Sequence, residues 1–248
     1  MDNGRIALVT GASRGLGAAI ASRLGKDGFR VAVNCFQSPD RAKKLVADIQ
    51  ASGGTARAIQ ADITDSTAIG RLLADINQAW DGTVDVLVNN ATGPQPERPL
   101  EEYSWQDFED QINFFIKSPV LLVQALLPAM KKARHGRIIN IVSEVADNCR
   151  PDFSPYIAAK CAQLGLTRSW ALEFAPWNIT VNAVSPGWVP TDRHAGVDRK
   201  VLAAYQAEVP LKRQGTPEEV ASAVSFFAAA ENGFVSGQRV SVNGAHTF

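Results

Sequence analysis

The chain is poor in the residues that build metal sites and cross-linked scaffolds. It has three cysteines in 248 residues, Cys35, Cys149 and Cys161, odd in number and far apart. That pattern argues against a disulfide framework and fits a reducing compartment. Histidine is as scarce, at His135, His194 and His246, and so scattered that no metal-ligand spacing is visible. Net charge is also missing: 25 basic residues balance 25 acidic ones. Bulk charge therefore offers no attraction for nucleic acid or a membrane surface. The cluster Lys131-Lys132-Arg134-His135 reads as the polar end of a helix rather than a binding patch. No apolar run approaches the ~20 residues that cross a bilayer. Met1-Asp2-Asn3-Gly4 leads straight into a strand, without the pattern of a signal peptide. No Pro/Gly/Ser-rich linker, repeat or low-complexity segment divides the chain. The expectation is one cytoplasmic domain over residues 1–248, with no nucleic-acid or membrane partner and no metal.

Apolar residues are plentiful, at 46% of the chain, enough for one large core. Short β-type runs alternate with amphipathic stretches. The runs are Ile6–Val9, Arg30–Cys35, Ala56–Ala61, Val84–Val88, Arg137–Val142, Ile179–Val184 and Arg239–Val242. Helical patterns fall between them, among them Arg41–Ala51, Thr67–Gln78 and Trp105–Ala133. This alternation predicts βαβ units, hence an α/β fold with a doubly wound parallel sheet of about seven strands covered on both faces. Residues 186–214, rich in Pro, Gly and charge, are long for a connection and suit a substrate loop or lid.

The chemistry-bearing residues collect at the ends of these runs. Ser143 follows the apolar run Arg137–Val142, at a strand's carboxyl end, where open α/β sheets place ligands. Ser154-Pro155-Tyr156-Ile157-Ala158-Ala159-Lys160 opens a helix, with Ser154 suited to the N-cap and Pro155 to the first helical position. Tyr156 and Lys160 then share one helix face. A phenol titrates near pH ~10, and a neighbouring ammonium favours its ionised form. The set points to proton transfer at a carbonyl or alcohol. Earlier, Thr10-Gly11-Ala12-Ser13-Arg14-Gly15-Leu16-Gly17 lies between the first strand and first helix. Glycines there permit a tight turn and close approach of backbone to a pyrophosphate, next to a helix N-terminus. No Gly-Lys-Ser/Thr follows, so it is not a P-loop.

Together with Asn89-Asn90-Ala91, with Ser185-Pro186-Gly187 and Thr191, and with the closing Val240-Ser241-Val242-Asn243-Gly244, these motifs resemble the short-chain dehydrogenase/reductase family over Arg5 to Gly244. The chain is most similar to the subgroup that includes 3-oxoacyl-[acyl-carrier-protein] reductases. The resemblance implies a single Rossmann-fold domain that binds a nicotinamide dinucleotide. It implies that Tyr156 is the acid–base residue, that Ser143 bonds the reacting oxygen, and that Lys160 holds the nicotinamide ribose and lowers the tyrosine's pKa. Gly11, Ser13, Arg14, Gly15, Leu16 and Gly17 would cradle the phosphates. Asp62 and Ile63 would meet the adenine, and Asn89 and Ala91 would line the cleft. Pro186, Gly187, Val189 and Thr191 would border the nicotinamide. Relatives pack the long central helix and the helix after Tyr156 against their copies, so a homodimer or homotetramer is expected.

The second strand ends Val33-Asn34-Cys35-Phe36-Gln37-Ser38, with no acid to bind a ribose 2′-hydroxyl. Arg14 is placed to pair with a 2′-phosphate, so NADP(H) is expected over NAD(H), which stays possible. No basic residue stands directly after that strand. The loop Asn89-Asn90-Ala91-Thr92-Gly93 has Thr92 inserted before the usual glycine. At the central-helix position where many relatives carry a proton-relay asparagine stands Phe115. Asn113 lies about 200° around an ideal helix and could replace it only through a local bulge. The expected activity is reduction of a ketone, among which a 3-oxoacyl thioester is one candidate, to a secondary alcohol. Arg150, Arg193 and Arg199 are candidates for meeting an acyl-carrier-linked substrate. The alternative is a catalytically impaired NADP(H)-binding sensor or scaffold, for which Phe115 speaks and the intact Ser143, Tyr156 and Lys160 speak against. A serine hydrolase is excluded, since Ser143 lacks the flanking glycines of a nucleophile elbow.

Overall fold

In a computed structural model, residues 4–248 are described, apart from the side chain of Arg193. The leader reading of Met1-Asp2-Asn3, and any role of the Arg193 side chain at the entrance, lie outside the described residues. The strands are β1 Ile6–Val9, β2 Arg30–Cys35, β3 Thr55–Gln60, β4 Val84–Asn89, β5 Gly136–Ile141, β6 Ile179–Pro186 and β7 Arg239–Val242. All pair in parallel, in the order β3-β2-β1-β4-β5-β6-β7. The helices are α1 Gly15–Lys26, α2 Pro39–Ala51, α3 Ser66–Trp80, α4 Trp105–Ile112, α5 Ser118–Ala133, α6 Val145–Asn148, α7 Ser154–Phe174, α8 Arg199–Glu208 and α9 Pro217–Ala228. Strand order reverses between β1 and β4, which opens a crevice at the carboxyl ends of these neighbouring strands.

The five inner strands β1, β2, β4, β5 and β6 are buried on both sides, which is why they read as near-continuous apolar runs, whereas the edge strands β3 and β7 are partly exposed. Alternation within β1 sends Ala7 and Val9 to one core with Ile20, Leu24, Val224 and Phe227. Ile6 and Leu8 point to the other, with Leu72, Ile76, Leu122, Leu126 and Phe174. The predicted strands match the observed ones to within one or two residues. At the carboxyl end of α5, Lys131 lies 3.9 Å over the Trp177 ring and Arg134 donates to the Pro176 carbonyl, so the basic cluster does finish a helix.

Two expectations need correction. By length and composition one helix among the described residues, Trp105–Ala133, is long and apolar enough to cross a membrane, with an 18-residue window of mean hydropathy 1.5 of which 33% is buried. In the fold, its Leu122, Val123, Leu126 and Met130 are buried against the sheet. The stretch is also not one α-helix, because Asn113–Lys117 is π-helical. Pro119 supplies a cause, since it has no N–H for the Phe115 carbonyl four residues back and its ring crowds that carbonyl.

Candidate active site

The glycine loop is closed by contacts that leave no room for side chains. A Cβ on Gly11 would fall 2.7 Å from the Ala91 Cα, and one on Gly17 would fall 2.5 Å from Asn90 Nδ2 and 2.6 Å from the Gly11 carbonyl. Gly11 and Gly15 also have φ of +60° and +57°, which side chains resist. Thr10 Oγ1 accepts the Asn90 and Ala91 N–H groups at 2.9 and 3.0 Å, and Asn90 Nδ2 donates to the Thr10 carbonyl at 2.8 Å. The first and fourth strand ends are thus tied together, and α1 opens onto the crevice with Arg14 exposed at its N-cap. The bare backbone and helix N-terminus fit a pyrophosphate.

On the adenosine side, buried Asn34 takes over the end of β2. Its Oδ1 accepts from the Gly11 N–H at 3.3 Å and its Nδ2 donates to the Ala61 carbonyl at 3.1 Å. Asp62 is turned inward on its own loop, accepting from the Thr64 N–H and hydroxyl at 2.8 and 2.7 Å. The N-cap of α3 is Asp65, not Asp62. Ile63 is buried beside Asp62. Arg41, read from sequence only as part of a helical stretch, stands in the first turn of α2. It reaches across to Asp192 at 2.8 Å. A test for a base directly after β2 overlooks a residue that one helical turn returns to the same edge.

On the nicotinamide side, β6 ends at Pro186, Gly187 N donates to the Val242 carbonyl at 3.0 Å, and Val189 is buried. Thr191 caps the turn Asp192–His194. Its Cγ2 lies 3.4 Å from where a Gly15 Cβ would be, so the glycine loop and the 186–214 segment meet face to face.

Ser143 stands two residues past β5, where its Oγ accepts from the Val145 N–H at 3.4 Å. α7 begins at Ser154, one residue before the expected start, and Phe153 is its N-cap. The Ile157 N–H bonds the Phe153 carbonyl at 3.1 Å, which draws the helix back by one position. Tyr156 stays in the first turn, with Phe153 and Phe115 rings at 4.7 and 5.4 Å from its own. Lys160 is 3% exposed. Its ammonium donates to the Ile141 carbonyl at 2.7 Å and Gln163 Oε1 at 3.2 Å, and sits 3.7 Å over the Phe115 ring. A buried polar chain continues behind it. Asn89 Nδ2 donates to Asn140 Oδ1, Asn140 Nδ2 to Thr167 Oγ1, and Thr167 Oγ1 to the Gln163 carbonyl, at 2.8, 2.9 and 2.9 Å. Of that chain, the sequence pointed to Asn89 alone, as part of Asn89-Asn90-Ala91. Asn140, Gln163 and Thr167 sit inside β5 and α7, where such residues carry no periodic signal. Phe115, seen from sequence as a departure, turns out to be a wall of the site.

Parallel strand ends thus carry the predicted phosphate, ribose and catalytic positions on one edge of the sheet. Comparisons with known proteins bear on the family and the fold. A family model described as enoyl-(acyl carrier protein) reductase matches residues 11–247. The 3-oxoacyl-[acyl-carrier-protein] reductase FabG of Staphylococcus epidermidis is 37% identical over 238 residues, covering 96% of this chain and 97% of that one. The 3-oxoacyl-[acyl-carrier-protein] reductase of Synechocystis is 36% identical, covering 97% and 96%. A crystal structure from Agrobacterium tumefaciens, of a protein provisionally assigned as a gluconate dehydrogenase, superposes with a TM-score of 0.93 at 33% identity, over 98% of this chain and 96% of that one. With the sheet order, the glycine loop and these relatives together, the chain belongs to the short-chain dehydrogenase/reductase family and is an oxidoreductase of that class.

Proposed function

We propose that the protein is an NADP(H)-dependent carbonyl reductase that converts a ketone to a secondary alcohol, with Tyr156 as the acid. The observation that carries this is Tyr156 in the first turn of α7, with the buried Lys160 ammonium 5.6 Å from its ring centroid. When bound, the reduced nicotinamide supplies a hydride to the carbonyl carbon. Tyr156 gives its hydroxyl proton to the oxygen that gains the electron pair, and solvent later restores it. Ser143 donates to the same oxygen. Lys160 stabilises the phenolate left behind and holds the nicotinamide ribose. Gly11, Ser13, Arg14, Gly15, Leu16 and Gly17 hold the phosphates; Asp62, Ile63, Asn89 and Ala91 line the adenosine and ribose. Pro186, Gly187, Val189 and Thr191 border the nicotinamide.

The absence of an acid at the end of β2 supports NADP(H) over NAD(H), and Arg14 with Arg41 supplies guanidinium groups for a 2′-phosphate. A 3-oxoacyl thioester is the first substrate to test, because the Staphylococcus and Synechocystis relatives are named for that reaction. Delivery by a carrier protein has less support: Arg150 is ion-paired with Glu97 and stacked 4.3 Å over Phe153, while Arg199 is exposed on α8. Three free thiols, at Cys35, Cys149 and Cys161, suit a cytoplasmic setting. Exposed Trp105, Ile112 and Leu172, at 67%, 40% and 81%, suit a homodimer or homotetramer built through α4 and α7. Phe115 over Lys160 favours a second reading, an NADP(H)-binding sensor with little turnover. NADPH oxidation with a short 3-oxoacyl thioester, a ketone panel and a sugar-acid ketone separates the two. Turnover of any of these supports the reductase, and tight NADPH binding without turnover supports the sensor.

A further inference from the structure

Glu144 is a buried acid that the proposed chemistry does not use. It follows Ser143 directly and is 4% exposed. A buried carboxylate is costly unless hydrogen bonds and charge compensate it. Its two oxygens go to two distant parts of the chain. Oε1 accepts from the Tyr205 hydroxyl at 2.8 Å, on α8 within the 186–214 segment. Oε2 lies 3.2 Å from His246 Nδ1 in the carboxy-terminal tail. His246 Nε2 turns back to α8, 3.7 Å from Glu208. The Tyr205 hydroxyl in turn accepts the Trp188 backbone N–H at 2.8 Å. Burial first, and the Glu144 carboxylate with it, outweigh the Trp188 N–H and push the Tyr205 phenol well above its ordinary value, so it remains a donor.

The junction has little slack. A Cβ on Gly187 would lie 2.6 Å from the Tyr205 hydroxyl and 3.1 Å from Glu144 Oε2. The Tyr205 ring meets Trp188 and His246 edge-on, with centroids at 5.4 and 5.2 Å. The backbone N–H of Glu144 donates to the Pro186 carbonyl at 3.0 Å. Nearby, Asp147 pairs with Arg239 and accepts from the Thr247 hydroxyl at 3.3 Å. Stability alone does not call for such a group, because apolar residues of similar volume often replace buried charges without loss. The side-chain partners of Glu144 lie on α8, within the 186–214 segment, and in the carboxy-terminal tail.

We infer that Glu144 is a positioning residue that fixes the substrate end of the 186–214 segment, setting the Trp188 backbone through Tyr205 and drawing the carboxy-terminal tail onto α8 through His246. The inference rests on the carbonyl-reductase reading for what is bound there, and not for the coupling itself. Its test uses Tyr205→Phe, Glu144→Ala and Glu144→Gln in the full chain. The readouts are NADPH affinity by fluorescence, KM and kcat for the best carbonyl substrate, and hydrogen exchange over residues 186–209. Tyr205→Phe and Glu144→Ala should raise the carbonyl KM about tenfold, the worth of one charge-assisted hydrogen bond. They should also speed exchange over 186–209, with NADPH affinity within about twofold and kcat within about threefold of wild type. Glu144→Gln, which still accepts from Tyr205, should restore both. Unchanged exchange in the first two variants, a parallel loss of NADPH affinity, or a Gln variant no better than Ala would each overturn the inference. Should Glu144→Ala fail to fold, Tyr205→Phe decides alone. If the wild type reduces no carbonyl, the reductase reading fails while exchange and cofactor affinity still decide the coupling.

Discussion

The contact between Phe115 and Lys160 gives a prediction that can be worked through in energy. The ammonium lies 3.7 Å over the ring centroid, and the two residues are 2% and 3% exposed. A desolvated cation–π contact of this kind is worth about 2 kcal/mol. Phe115 also meets Tyr156 edge-on at 5.4 Å, for about another 1 kcal/mol. Phe115→Leu keeps an apolar side chain of roughly similar reach and should cost about 3 kcal/mol in all. Lys160→Met deletes the same cation–π contact together with the donor to the Ile141 carbonyl at 2.7 Å and should cost about 3–5 kcal/mol. If the ring stabilises the ammonium, the two losses do not add. The double variant should be about 1.5–2 kcal/mol more stable than their sum predicts. In a chain of this size that is about 3–8 °C in Tm. Urea unfolding of the four proteins measures the coupling. A value below about 0.5 kcal/mol would mean that Phe115 only fills space beside Lys160.

Arg14→Ala and Arg41→Ala should each raise KM for NADPH about tenfold or more, the loss of a charge-assisted contact, and change KM for NADH by less than about twofold; equal losses with both cofactors would contradict the 2′-phosphate assignment. Glu219 closes a capping box with Thr216 at the start of α9 and pairs with Arg213 at 2.6 Å. The Arg213 hydrogen bond, followed by the Thr216 N–H, holds its carboxyl at about 2. A folded-state value below the ordinary one stabilises above pH ~4.5, and that support is lost as pH falls toward ~2. Because both side chains are more than a third exposed, screening reduces the effect to the order of 1 kcal/mol. Wild type should therefore out-melt Glu219→Gln near neutral pH, with the gap closing in acid; a constant gap would be wrong for this pair. Gly17→Ala, whose Cβ would sit 2.5 Å from Asn90 Nδ2, should lose NADPH binding, and full affinity would refute the closed-loop geometry.

The inner strands of the sheet were legible because burial on both faces makes each a compact apolar run between turn residues. The glycine loop and the Ser143, Tyr156 and Lys160 set were legible because their spacing is local. The π-helical segment was visible only as a puzzle, in which Asn113 and Phe115 fell on the wrong faces of an ideal helix. What the sequence did not reveal depends on distant partners. Glu144 meets Tyr205 and His246 across 61 and 102 residues, Arg41 meets Asp192 across 151, and Asn89 meets Asn140 across 51. No periodicity links such positions, since each pairing is made by the crossovers that bring strand ends to one edge.

The most direct test of the central claim is NADPH consumption by wild type and Tyr156→Phe side by side, on the best substrate from the panel, with NADPH affinity measured for both. A general acid contributes about 10²–10⁴-fold. The mutant should lose at least about a hundredfold in kcat/KM while binding NADPH as tightly as wild type. A Tyr156→Phe enzyme that keeps its turnover to within about tenfold would contradict proton transfer by Tyr156.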